Sequence, residues 1–391
     1  MRVLISSDIP VSFVCGSSYF IKRLANLLKQ GGHEVAVLCP GHRTTSTIRE
    51  EEGLRVYGAP SLPSIVQKYL RLSPPFVINR FVEKTLDDFK PDIVHIQSHF
   101  FLPHRAAKAA RRRDVVTVGT NHFIPENVFP HLHLPARVTE FVNKLGWRHL
   151  HYIFKKLSAV TTPTETAAGF MQRSGFFKEI KPVSNGIDLR HFHPNHPSAH
   201  VARLYNLPHV PRLLYVGRLD PEKSVDILIG AMPHVLKQMD AHLVIAGRGA
   251  KEASLKKQVE RLNLHKHVTF TGFVADSDLP ALYCAVQCFV MPSTAELQCI
   301  AAMEAMASKL PVIAANALAL PELVHHGRNG FLFTPGDSEE LASAITEILS
   351  DPDRQKLMGT ASMQIVEKHD ISLTLEAFED LYRDALKKNL T

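Results

Sequence analysis

Short β-branched runs alternate with longer stretches whose apolar residues recur every three or four positions, and this rhythm organises the whole chain. In the first half, residues 2–6, 34–40, 92–98, 115–122 and 159–164 read as buried strands. Between the first two, residues 19–32 carry helical spacing that ends in Gly31-Gly32. Strands alternating with helices predict a parallel sheet with right-handed crossovers.

The rhythm breaks at the Asn/Pro/His-rich stretch 185–197, read as a linker, and then starts again. Residues 212–219, 242–249, 268–274, 288–293 and 311–315 supply a second set of strands. The predicted fold is α/β, with two doubly wound, Rossmann-like parallel-sheet domains facing across a cleft. An N-terminal domain spans 1–184 and a C-terminal one 185–371. A last helix, about 372–391, is able to pack back on the first domain.

Hydrophobic residues make up 45% and charged residues 21% of 391, as in soluble globular chains. No run of about 18 apolar residues appears, so no membrane span is expected. The opening MRVLISSDIP reads as a strand and not as a secretory leader. Five scattered cysteines form no CxxC pair, which argues against a disulfide framework or a zinc site and for a reducing, cytosolic location. Charge is uneven: residues 1–190 hold 26 Lys/Arg against 15 Asp/Glu, leaving 19 against 23 in the remainder. A half with net charge +11 suggests a surface that meets something anionic.

Ligands of doubly wound sheets bind beyond the carboxyl ends of the strands, which selects five stretches for chemistry. In 8–18, Gly16 lets backbone amides approach a phosphate, with a plain turn as the alternative, and no GxGxxG is present. In GRLDPEK (217–223), Arg218 and Lys223 suit two neighbouring phosphates, with solvated surface cations as the alternative. Gly247 and Gly249 in AGRGAKE fit a tight turn or close backbone approach to a ligand. In TNHFIPENVFPHLHLP (120–135), His122 stands at a strand end.

The most specific stretch is MPSTAELQCIAAMEAMASKLPVIAA, 291–315. Ser293 and Thr294 are placed to cap a helix whose first amides lie near Gln298, Cys299 and Ile300. Glu296 and Glu304, eight positions apart, can serve one ligand if Glu296 precedes the helix and Glu304 lies within it. Carboxylates accept hydrogen bonds from vicinal hydroxyls, so the pair suits a sugar and a ribose. Asp276-Ser277-Asp278 and Asp351-Pro352-Asp353 match a DxD metal spacing, but both precede helical patterns and read as caps.

Together these stretches resemble the GT-B-fold retaining glycosyltransferases of family 4 along nearly the whole chain. Glu296 and Glu304 reproduce the family's E-x7-E motif, and Gly217-Arg218-Leu219 with Lys223 its G-R-L-x-x-x-K element. SNGID (184–188) and Gly-Phe-Val (272–274) sit where the family has them. The resemblance implies that Arg218 and Lys223 hold the diphosphate of a nucleotide-sugar, Glu304 the ribose and Glu296 the sugar hydroxyls. It implies the base near Phe273 and Val274, and phosphate contacts at Gly16 and Gly247 and at the amides of 298–300. On the acceptor side it implies Asn121, His122, Glu126 and Asn127, with His122 near the transferred sugar. No metal and no resident cofactor are implied.

Two positions depart from the family pattern: Glu-Gly-Phe-Gly-Leu is here Glu296-Leu-Gln-Cys-Ile300, and Lys309 replaces a glycine. The 120–132 stretch is similar to the glycolipid branch, such as the diacylglycerol glucosyltransferases. Basic and amphipathic segments at 62–81, 105–114 and 144–156 agree with docking of the N-terminal domain on anionic lipid. The reading is thus a hexosyltransferase moving glucose from UDP-glucose to a lipid hydroxyl at the cytosolic membrane face. The alternatives are a GDP-mannose-dependent mannosyltransferase acting on a phosphoinositide or glycolipid, and a soluble-acceptor hexosyltransferase. A nucleotide-sugar epimerase and a nucleic-acid binder are the rivals from other classes. No nucleic-acid motif is present, and no nucleic-acid partner is expected.

Overall fold

The computed structural model describes residues 1–13, 16–51, 53–63, 71–73, 75–125 and 135–390. The chain divides into two compact units, 1–184 with 374–391, and 185–373.

Among the described residues, unit 1 holds an eight-stranded sheet. Its order is Lys181–Pro182, Ala159–Thr162, Val116–Thr120, Ile93–Ile96, Arg2–Ser6, Glu34–Pro40, Leu54–Ala59, Thr47–Glu51. Every neighbouring pair is parallel except the last. The central strands are apolar on both faces, as burial between helix layers requires. The helix Gly16–Gln30 places Phe20, Ile21, Leu24, Ala25 and Leu28 on its inner face and stops before Gly31-Gly32. The last helix, Ile371–Leu390, belongs to this core: Phe378 and Tyr382 are fully buried. Tyr382 Oη lies 2.8 Å from His95 Nδ1, whose Nε2 meets Thr120 Oγ1 at 2.7 Å. Both ring nitrogens of this buried histidine are therefore satisfied.

Unit 2 holds an all-parallel six-stranded sheet in the order Val268–Gly272, His242–Ala246, Arg212–Val216, Cys288–Met291, Val312–Ala315, Gly330–Phe333. The 185–197 stretch, read from sequence as a linker, is packed into this unit. Ile187 pairs with Asp370 in a bridge, and Ile187 and Phe192 lie in the core. Both sheets are Rossmann-like, as the strand–helix alternation predicts. No helix among the described residues is long and apolar enough to cross a membrane.

Candidate active site

The strand order of unit 2 reverses between Arg212–Val216 and Cys288–Met291, which is where open α/β sheets bind ligands. The loop 217–224 follows the first of these strands and the loop 292–299 the second. Serine and backbone contacts tie the two loops together. Ser293 Oγ donates to the Glu222 carbonyl at 3.2 Å, and the Thr294 amide donates to the same oxygen at 3.3 Å. A third loop supports them through its glycines. The Gly247 amide donates to Gly272 at 2.8 Å, and a Cβ on Gly247 would lie 1.9 Å from the Gly217 carbonyl oxygen. A Cβ on Gly249 would lie 2.4 Å from the Leu219 carbonyl oxygen. The close approach read from these glycines is therefore to the protein's own 217–219 backbone.

Lys223 Nζ donates to Glu296 Oε1 at 2.6 Å, and only 16% and 11% of the two side chains remains exposed. Burial disfavours the ammonium. The charge and hydrogen bond of Glu296 more than offset this, so Lys223 titrates above its ordinary value. Arg218, with a side chain 46% exposed, pairs with Asp220 and, at 2.7 Å, with Glu222. Each cation read as a phosphate ligand thus already holds a carboxylate. The guanidinium of Arg218 is half exposed, whereas the carboxylates of Asp220 and Glu222 are largely withdrawn from solvent. The buried Lys223–Glu296 pair is a fixed part of the site.

The helix carrying the second glutamate is Ile300–Ala307, later than Ser293 and Thr294 predict. Cys299 occupies its cap position, with no side-chain cap bond. Ser293 cannot cap it, because its hydroxyl is engaged with Glu222 and with the Ala295 amide. The segment 294–299 consequently runs as loop. Glu296 stands on that loop and Glu304 inside the helix, so the two carboxylates project from different backbones despite their regular spacing. Gln298 Oε1 accepts the Asn185 amide at 2.7 Å, which binds the SNGID segment to the site loop. Glu304 is buried and accepts from Tyr283 Oη at 2.9 Å. Burial and the neighbouring carboxylate push that phenol well up. Val274 lies in the core, whereas Phe273 leaves about half of its surface open. Cys299 is buried and Ile300 partly so.

In unit 1, Gly16 is the first residue of its helix, and a Cβ there would meet nothing within 4 Å. His122 follows Val116–Thr120, with Nε2 2.9 Å from Gln97 Oε1 and its ring edge-on to Phe20 at 4.8 Å. Burial lowers its pKa to about 4, so it is neutral at physiological pH. Asn121 is closed on its own loop through Phe123, donating at 2.9 Å and accepting at 3.1 Å. Glu126 and Asn127 lie outside the described residues, as do 64–70 and 74 of the segment 62–81. Asp351 caps its helix by accepting the Arg354 amide at 3.0 Å; Asp278 sits at a helix start without capping it. Among the described residues no group of three His, Cys, Asp or Glu side chains is arranged to hold a metal.

A family model described as "Glycosyltransferase Family 4" matches residues 14–191, and one described as "Glycosyl transferases group 1" matches 208–365. Together they span most of the chain. The chain is a GT-B glycosyltransferase of family 4. This glycosyltransferase is 27% identical to the sulfoquinovosyl transferase SQD2 of Arabidopsis thaliana, over 92% of its own length and 69% of the relative's. It is 26% identical to a GDP-mannose-dependent alpha-mannosyltransferase of Corynebacterium glutamicum, over 94% and 85%. The sucrose-phosphate synthase structure from Thermosynechococcus elongatus shares its fold with a TM-score of 0.83 at 21% identity, covering 99% of both chains. So does Anabaena HepE in complex with UDP-glucose, with a TM-score of 0.79 at 21% identity, covering 97% and 99%.

Two side chains of the glycosyltransferase touch predicted site residues, a third stands at the same sheet end, and none of the three has a signal of its own in the sequence. Tyr283 holds Glu304, and Gln97 holds His122. Asp8, pushed up to about 6 by burial, accepts from Ser98 Oγ at 2.5 Å and from the Leu102 amide at 2.9 Å. It follows the first strand at the same sheet end as Gln97 and His122.

Proposed function

We propose that this glycosyltransferase is a retaining hexosyltransferase that moves glucose from UDP-glucose to a lipid hydroxyl, such as that of diacylglycerol, at the cytosolic face of a membrane. One observation carries the donor side: at the switch point of unit 2 a buried Lys223–Glu296 pair stands beside Arg218 and the Tyr283-held Glu304. Two cations suit a diphosphate, and two carboxylates on different backbones suit the hydroxyls of a hexose and a ribose. Phe273 offers an exposed ring for a base.

In this reading Arg218 exchanges its carboxylates for phosphate oxygens, and Lys223 approaches the same diphosphate while anchored by Glu296. Amides at the start of Ile300–Ala307 add partial positive charge where the leaving diphosphate gathers negative charge. These groups stabilise the leaving group without a metal. Glu296, already hydrogen-bonded to Lys223, acts as a binder and not as a nucleophile. Front-face attack then retains the anomeric configuration, with a donor phosphate oxygen helping to deprotonate the acceptor and the protein supplying position and charge.

The lipid acceptor draws support from a relative whose name states a lipid acceptor, a mycobacterial phosphatidylinositol monomannoside mannosyltransferase 31% identical over 57% of this chain. The mannosyltransferase names also favour a second reading, GDP-mannose with a phosphoinositide or other glycolipid acceptor. Incubation with UDP-glucose or GDP-mannose and vesicles containing diacylglycerol or phosphatidylinositol separates the two. The expected product is α-glucosyl-diacylglycerol, its anomeric proton read by NMR. A mannolipid instead transfers the assignment to the second reading, and a β-linked product contradicts retention.

A further inference from the structure

The helix Ala136–Phe154 buries one face and leaves another exposed. Trp147, Leu150, Ile153 and Phe154 enter the core of unit 1. On the other side Val138, Phe141, Leu145 and Tyr152 are 43%, 67%, 55% and 51% exposed. At 3.6 residues per turn these four fall within about 60° of arc, opposite the buried face. Arg137, Lys144, Arg148 and Lys155 fall within about 40° directly beside them. The outward face is therefore an apolar stripe running beside a cationic row. Lys144 bonds the exposed Glu140, which lies on the far side of that row.

At the C-terminal end of the stripe, a cavity of about 150 Å³ opens against the helix Phe101–Arg111. Its lining includes His104, Lys108, Arg111, Tyr152 and Lys156. Lys156 Nζ stands 3.4 Å from the centre of the Tyr152 ring.

We propose that the outward face of Ala136–Phe154 docks on an anionic bilayer, the stripe entering the headgroup–acyl boundary and the cavity beside Tyr152 receiving a lipid phosphate. The proposal deepens the lipid-acceptor reading by giving the surface through which the enzyme meets its bilayer. Three arguments select this occupant. Aliphatic and aromatic side chains in a narrow stripe suit a shallow interface. Cations on long stems beside the stripe reach headgroups while their methylenes remain at the apolar boundary. A second copy of this chain meeting it through the same face would set the cationic row against like charges, and a polyanion in water would leave the apolar stripe uncovered.

Co-sedimentation of the full chain with vesicles of phosphatidylcholine alone, and of phosphatidylcholine with phosphatidylglycerol, tests the proposal. Wild type is expected on the anionic vesicles only, with binding that weakens as salt rises. Phe141→Ser with Leu145→Ser, and separately Arg148→Glu with Lys155→Glu, are each expected to lower partitioning at least tenfold. All four side chains are exposed, so melting temperature and donor binding should match wild type. No binding of wild type to anionic vesicles, or wild-type partitioning by both variants, overturns the proposal. So does a dimer in sedimentation velocity that the serine variant splits, in the absence of vesicle binding. Vesicle binding without transfer to any lipid leaves the docking face standing and removes the lipid-acceptor reading alone. Transfer to lipid in detergent with no vesicle binding does the reverse.

Discussion

Lys223 and Glu296 form a 2.6 Å ion pair whose two side chains are largely withdrawn from solvent, at the carboxyl end of the unit 2 sheet. Because the lysine titrates above its ordinary value, the pair is intact at physiological pH. On the alkaline side its stabilising contribution is lost as pH rises through the folded-state pKa of the lysine.

Glu296→Gln keeps an acceptor for Lys223 but removes the negative charge. If Glu296 binds the donor, KM for the nucleotide-sugar should rise about tenfold while kcat stays within a few-fold of wild type. Steady-state kinetics decide it. A kcat that falls as far as kcat/KM would give Glu296 a role in the transition state instead.

Gly247→Ala tests the loop support. The added Cβ would lie 1.9 Å from the Gly217 carbonyl oxygen, at a φ of +141°. The nearest atoms are all Gly217 backbone and not a flexible side chain, so a loss of about 2 kcal/mol or more is expected. Urea unfolding should show this together with weakened donor binding. An alanine variant as stable as wild type would mean that the loops are not packed this way.

Lys309 stands in the left-handed region, at φ +65°, after the helix that bears Glu304. A side chain there carries strain that glycine avoids. Lys309→Gly should therefore gain about 1 kcal/mol and raise the melting temperature of the unit by about 2–4 °C. An unchanged or lower melting temperature would contradict this.

Much of this site was legible in the sequence, and the rest was hidden for definable reasons. Ten parallel strands announce themselves as apolar runs and appear near their predicted positions, whereas the parallel strands Leu54–Ala59, broken by Arg55 and Gly58, and Gly330–Phe333 are not predicted. Thr47–Glu51 escapes because an edge strand carrying Arg49, Glu50 and Glu51 has no apolar periodicity. Lys181–Pro182 has two residues, too few for any pattern. The glutamate spacing correctly suggests one carboxylate before a helix and one inside it. The cap assignment fails because Ser293 bonds a carbonyl 71 positions away, a contact no local preference records. Tyr283, Gln97 and Asp8 are hidden for the same reason, since their partners come from other strands and helices.

Sensitivity to acid follows from buried imidazoles. Burial lowers His95 and His99 to about 3, and His104, His122, His242 and His369 to about 4. Between pH 6.5 and 4 the unfolded chain takes up protons at these positions that the native state refuses. Their contribution is full above pH 6.5 and lost as pH falls toward 4. Asp8, raised to about 6, works in the opposite sense over the same range, but it is one group against six. Calorimetry should find the melting temperature falling steadily from pH 7 to 5. A flat profile would contradict the burial of these rings.

Titration calorimetry with UDP-glucose and with GDP-mannose, on wild type and Arg218→Ala, tests the donor site most directly. Micromolar binding of UDP-glucose, abolished in the variant, is the expected result. Equal binding by the variant, or no binding of either donor to wild type, would contradict a diphosphate-sugar site built on Arg218, Lys223, Glu296 and Glu304.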